Sequence, residues 1–218
     1  MDNAAATSFG LVDGTPVFMD AAGDSYFRLE HEEECAFLAA LKKEEGRGGS
    51  FVHGLVRGPA PGEWEIEPLP LPTPPKRALP GPRGPGNPNI LQMAAVAKLL
   101  LLVGRALERQ SIGDILENVV PVNSNKPGAA RDPIARAIAF RNARRLLPLR
   151  GNCLSDSLAL MRWLAAAGDR AILVFGVKLD PFAAHCWVQS GEIALNDHPE
   201  RIERFTPVRI IGCTSATP

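Results

Sequence analysis

Eleven of the chain's 20 prolines fall within residues 59–88: Pro59, Pro61, Pro68, Pro70, Pro72, Pro74, Pro75, Pro80, Pro82, Pro85 and Pro88. Proline fixes φ and removes a backbone donor, so a stretch this dense forms neither a helix nor an inner strand. It reads as an extended linker. The 218 residues then divide into a unit at 1–58, a linker at 59–88 and a unit at 89–218. Charge changes sign within this stretch. Residues 1–75 hold 13 Asp/Glu and 5 Lys/Arg, and residues 76–218 hold 11 and 19, so a net charge of zero conceals an acidic part and a basic part. With 45% apolar and 22% charged residues, full-length disorder is excluded.

The cysteines Cys35, Cys153, Cys186 and Cys213 form no CxxC pair, so a zinc ribbon or thioredoxin-like motif has no support and no metal site is expected. Four cysteines make no disulfide framework here, and no basic start followed by an apolar core opens the chain. A reducing, cytoplasmic setting is expected. The longest apolar stretch, Ile90 to Leu107, is interrupted by Gln92, Lys98 and Arg105. A spanning helix needs roughly 20 apolar residues, so no transmembrane segment is expected. Arg136, Arg141, Arg144, Arg145 and Arg150 cluster ahead of Cys153, and no nucleic-acid motif accompanies them. That pattern reads as a solvated or docking face rather than a nucleic-acid site.

In the first unit, Thr15 to Met19 and Ser25 to Leu29 read as short strands joined by turn residues Asp20 to Asp24. An acidic amphipathic helix follows from His31 to Lys43, with Phe37, Leu38 and Leu41 on one face. Phe51 to Val56 is expected to pack back on it. The second unit opens with helices at Leu91–Arg109, Ile112–Val119 and Pro133–Leu147, the last capped by Asp132. A fourth runs from Cys153 to Ala167 and ends at Gly168. Strands follow at Ala171–Val177, Ala183–Gln189, Ile193–Asp197 and Phe205–Ile211. Helices followed by an antiparallel sheet make an α+β layout.

Three residues in this layout carry chemistry together. Asn152 is a good N-cap, so Cys153 lies in a first helical turn, where unpaired N–H groups and the helix dipole favour a thiolate. His185 lies within a strand and Asp197 ends the next. A three-residue loop at Ser190–Glu192 sets His185 opposite Asp197, with Cβ atoms ~4.5–5.5 Å apart; a two-residue loop is read as setting it beside Asn196. Nucleophile, base and orienting acid thus occur in a working order. Trp187 shares the His185 face, while Cys186 points the other way and reads as packing, as do Cys35 and Cys213.

The segments Gly-Asn-Cys-Leu-Ser-Asp-Ser-Leu-Ala-Leu (151–160), Phe-Ala-Ala-His-Cys-Trp-Val-Gln (182–189) and Ile-Ala-Leu-Asn-Asp (193–197) resemble the lasso peptide B proteins. These are leader peptidases with a transglutaminase-like, papain-like cysteine protease fold. The resemblance covers about 133–211. It implies Cys153 as nucleophile, His185 as base and Asp197 as orienting acid. Cys186 and Gln189 stand where the family usually has Ala and Glu. Asp-Ser-Tyr-Phe-Arg-Leu (24–29) with the acidic helix resembles the family's leader-recognition element, a small winged-helix-like peptide binder. That implies leader binding around Tyr26, Phe27 and Leu29, and a chain in which recognition and proteolysis are fused.

The expected function is therefore removal of the leader from a ribosomally made lasso precursor before macrocyclisation. The resemblance implies an asparagine-synthetase-like cyclase as partner and an ATP dependence acting through it. No motif for a directly bound cofactor is present. Two other functions use the same residues: transfer of the acyl group to an amine, as in transglutaminases, or presentation of a precursor by an inactive binding module.

Overall fold

Asp13 and Gly14 both take positive φ, 50° and 84°. They join β1 (Thr7–Val12) to β2 (Thr15–Asp20) in a two-residue turn, with Val12 paired to Thr15. An Asp-Gly pair between apolar runs is a strong hairpin signal, so β1 was legible although the sequence reading started at Thr15. The computed structural model describes residues 7–45, 51–58, 64–81, 88–119 and 132–212. β3 (Ser25–Phe27), α1 (His31–Glu45), β4 (His53–Arg57) and β5 (Glu65–Pro68) complete the first part. The sheet order is β3-β2-β1-β4-β5, antiparallel throughout.

Side-chain alternation sends Phe9, Phe18 and Val56 to one face, where Phe37 and Leu41 of α1 cover them. Phe37 meets Phe9 and Phe18 edge-on, with centroids 5.1 and 5.0 Å apart. Val12, Val17 and Met19 point to the other face and join the main core. Between Thr7 and Pro68 the described residues form one five-stranded sheet and one helix, α1, which does not show the winged-helix-like form expected.

The second part supplies α2 (Ile90–Leu107), α3 (Ile112–Val119), α4 (Pro133–Arg145) and α5 (Cys153–Ala166). β7 (Ile172–Lys178), β8 (Ala183–Ser190), β9 (Ile193–Ala194), α6 (Pro199–Ile202) and β10 (Thr206–Ile211) follow. This is the α+β layout expected. α2 begins with a capping box between Asn89 and Gln92. By length and composition alone α2 is apolar enough to cross a membrane; here Val96, Leu100 and Val103 are buried in the main core. β7 is apolar at nearly every position because both of its faces are covered. Leu173, Phe175 and Val177 meet Leu158 and Leu164 of α5, while Ile172 and Val174 pack with Trp187 and Ile202.

The Pro-rich stretch departs from the expected free linker. β5 lies within it, and so does β6 (Arg77–Ala78), which pairs in parallel with β9 and closes the second sheet in the order β10-β7-β8-β9-β6. Both strands sit at sheet edges. An edge strand bonds along one side only, so proline density excludes an inner position and still permits this one. The first sheet therefore runs on to Pro68, beyond the boundary expected at residue 58.

Candidate active site

The N-terminus of α5 is fixed by its own sequence. Asn152 Oδ1 accepts from Ser155 N at 2.8 Å, and Ser155 Oγ accepts from Asn152 N at 3.2 Å. Cys153 is the first residue inside this cap, half-buried, at the floor of a cavity of ≈ 580 Å³. His185, Cys186, Asn196 and Asp197 line the same cavity. With Ser155 N taken by the cap, the N–H groups of Cys153 and Leu154 are the ones with no carbonyl of their own helix to bond.

His185 Nε2 is hydrogen-bonded to Asp197 Oδ2. Asp197 Oδ1 accepts from His198 N at 2.8 Å, and Arg201 Nε stands 3.8 Å from Oδ2. Burial works against the Asp197 carboxylate, but His185, the His198 N–H and Arg201 keep its pKa below the usual value. Burial also pulls the His185 imidazole down. Hydrogen bonds to Asp197 and Cys153, with the charges of both, outweigh it and raise the pKa to about 9. The Cys153 thiol is lowered to about 4 by hydrogen bonds from Cys186 and His185, against a burial that raises it. The pair therefore rests as thiolate and imidazolium across the neutral range.

The three residues meet by a route the sequence did not show. The β8–β9 loop is the two-residue pair Gly191–Glu192, with Ser190 opposite Ile193 and Gln189 opposite Ala194. Continued, that register sets His198 opposite His185, so neither Asp197 nor Asn196 is its cross-strand partner. The expected strand Ile193–Asp197 stops at Ala194. Leu195 N still bonds Val188 O at 2.8 Å, but the next donor, Val188 N, goes to the Asn196 side chain, also at 2.8 Å. The chain then leaves the ladder and turns the Asp197 carboxylate onto the imidazole.

Ser157 was missed as a site residue, and Asn196 was read only as a candidate neighbour of His185 rather than as a tie between elements. Asn196 Nδ2 donates to Ser157 Oγ at 2.8 Å, and Ser157 Oγ donates to the Cys186 carbonyl at 3.3 Å. The turn carrying Asp197 is thereby tied to the nucleophile helix and to the His185 strand. Ser157 lies one turn beyond Cys153, a spacing visible in the sequence.

Cys186 packs in the main core as expected, and it also lines the cavity. It does lie opposite Trp187, which packs near His185 with centroids 6.2 Å apart. That opposite face is the one α5 covers, so the buried Cys186 thiol meets Cys153 and donates to it. The hydrogen bond to Cys153, then burial, pushes the Cys186 thiol far up, so it stays protonated. Cys35 is exposed rather than packed, with its sulfur 4.0 Å from His31 Nε2. Cys213 lies outside the described residues.

Gln189 is buried and busy. Its Oε1 accepts from Trp187 Nε1 at 2.8 Å, and its Nε2 donates to the carbonyls of Thr73 and Gly191 at 2.8 and 3.1 Å. The Pro-rich segment is held by this amide, by Leu79 N on Ala194 O at 3.1 Å, and by Lys76 with Glu192 at 2.6 Å. Its residues Ala78, Leu79 and Gly81 form one wall of the cavity.

The residues expected to bind a leader do not share a face. Tyr26 turns inward and meets Phe182 edge-on, with centroids 6.1 Å apart. Phe27 stacks over Phe18 at 5.1 Å and is partly exposed. Leu29 packs beside the α1 cluster. All three lie on or just after β3, which is an edge strand. No cluster of potential metal ligands occurs among the described residues.

Residues 99–210 match the family model of the transglutaminase-like superfamily. Over 59 residues the chain is 36% identical to the Microcin J25-processing protein McjB of Escherichia coli, a match covering 27% of this chain and 28% of that protein. The chain thus spans under a third of that relative's length. No solved structure matches it.

Proposed function

The chain belongs to the transglutaminase-like superfamily, and on that premise we propose that it is a cysteine peptidase that removes the leader from a ribosomally made lasso precursor. The observation that carries this is the meeting of Cys153, His185 and Asp197 in one cavity, with the thiol lowered and the imidazole raised. The likeness to a microcin-processing protein supports the choice of substrate.

In this reading the Cys153 thiolate attacks the carbonyl carbon at the leader's end. The oxyanion forms beside the first N–H groups of α5. The His185 imidazolium gives its proton to the departing amine, leaving an acyl thioester and a neutral imidazole. His185 then takes a proton from water, the hydroxide attacks the thioester, and the thiolate returns with the proton back on His185. Asp197 holds the ring orientation throughout. Cys186, held protonated, steadies the resting thiolate. The leader adds as a strand along the free edge of β3, near Tyr26, Phe27 and Leu29. An asparagine-synthetase-like cyclase takes the freed core, and ATP dependence enters through it. A reducing cytoplasm keeps the thiols free.

The test is precursor cleavage with the cyclase supplied. Cys153→Ala abolishes it and Asp197→Asn lowers it strongly; unchanged cleavage by Cys153→Ala defeats the proposal. The product's mass distinguishes hydrolysis from transfer to an amine.

A further inference from the structure

The cavity above Cys153 is lined by more arginines than its carboxylates can pair. Arg141, Arg144, Arg145 and Arg201 face it, with Asp156 and Asp197 as the acids. Arg144 is committed: its Nε lies 2.9 Å from Asp156 Oδ1, and its other nitrogens reach the carbonyls of Leu147 and Leu149. Asp197 is committed to His185, and Arg201, with its side chain 62% exposed, forms its ion pair with the same carboxylate at 3.8 Å. That leaves Arg141 and Arg145, one helical turn apart on α4.

Neither pairs with a carboxylate among the described residues. Arg141 has one long bond, Nη2 to Gly81 O at 3.4 Å, and its Nε is buried with no partner. Burial, then the charge of Arg145, both disfavour the Arg141 guanidinium. Like charges at i,i+4 repel, and a buried N–H without an acceptor is costly. Both penalties are relieved by an anion in the cavity. Guanidinium groups match a planar carboxylate with two parallel hydrogen bonds.

We propose that Arg141 and Arg145 form a subsite for the carboxylate of a Glu or Asp side chain of the peptide substrate, close to the bond that Cys153 cleaves. This rests on the peptidase reading, because the same cavity holds the thiol and the two arginines. The substrate class is thereby narrowed to peptides with an acidic residue near the cut.

Two measurements on the full-length chain test it. The first compares alkylation of Cys153 by iodoacetate, an anion, and by neutral iodoacetamide. The iodoacetate-to-iodoacetamide rate ratio is expected to fall about threefold or more in Arg141→Gln and Arg145→Gln, with the iodoacetamide rate held. The second, with the cyclase supplied, uses synthetic peptides that differ only by Glu, Gln or Lys at each position flanking the cut. One position is expected to favour Glu over Gln by about tenfold in kcat/KM. Arg141→Gln removes that preference, and Arg141→Glu turns it toward Lys. Peptides cleaved without any Glu preference, or a rate ratio unmoved in both variants, overturn the subsite and leave the peptidase reading standing. Peptides left intact by a protein whose Cys153 still alkylates overturn both.

Discussion

At the scale of single residues, the site depends on two opposed shifts. The Cys153 pKa is held near 4 and the His185 pKa near 9, so the ion pair is populated between these values. Alkylation of Cys153 by iodoacetamide should therefore rise with a midpoint near pH 4. In His185→Ala the midpoint should move up toward the ordinary thiol value of 9.0, read from alkylation rate against pH. Asn196 is a positioning residue: Asn196→Ala strands the Val188 N–H and removes the donor to Ser157 Oγ. A loss of about 1–3 kcal/mol in denaturant unfolding is expected. Peptidase kcat should fall more than KM changes, and Asn196→Asp should restore part of both by keeping the acceptor for Val188.

At the scale of elements, α5 and the Pro-rich strap decide the geometry. Asn152→Ala removes the cap of α5 and should cost about 1 kcal/mol in denaturant unfolding, while Asn152→Asp retains most of it. The strap is locked by the amide of Gln189, whose Nε2 donates to Thr73 O and Gly191 O. Gln189→Glu presents a carboxylate to both carbonyls, where donors are needed. Limited proteolysis should then cut within residues 69–81 faster than in the wild type; an unchanged rate would show that the strap is held by its other contacts. The caps of α4 and α5 were legible from Asp132 and Asn152, because a cap is a local bond. β6 was not legible, because its partner β9 lies more than a hundred residues away.

At the scale of the whole molecule, the two sides of the Pro-rich segment share one apolar core. Val12, Val17, Met19 and Ala21 pack in the same cluster as Leu173, Phe175, Val208 and Leu158. Ile112 N donates to Asp24 Oδ1 at 2.5 Å, and Gly113 N to Ala21 O at 2.7 Å. β10 crosses β1 so closely that a Cβ on Gly10 would lie 2.3 Å from the Pro207 carbonyl oxygen. Gly10→Val should lower the melting temperature of the chain as a whole, and calorimetry should show one transition rather than two. His53 lies in the same region, 1% exposed, with burial lowering its pKa to about 4. The unfolded histidine titrates near 6.5, so the unfolded chain binds the extra proton between these values. Its contribution to stability is complete above pH 6.5 and falls by up to about 3 kcal/mol as pH drops through 4. Urea unfolding across this range should be shallower in His53→Asn than in the wild type.

The sequence by itself determined the α+β layout, the helix that presents Cys153, and the strand that carries His185. Each of these is written in local periodicity and in a cap, which need only neighbouring residues. The Asp-Gly turn that joins β1 to β2 was written there too. Only the tertiary structure decided how Asp197 reaches His185, since the sequence left two loop lengths open and the turn depends on Asn196 taking over a ladder bond. It also decided that Cys186 faces the nucleophile, because which face α5 would cover is a question of packing. And it turned the proline segment from a spacer into a wall of the cavity: proline density forbids inner strands, and the sheet edges that remained open to it are formed by residues far along the chain.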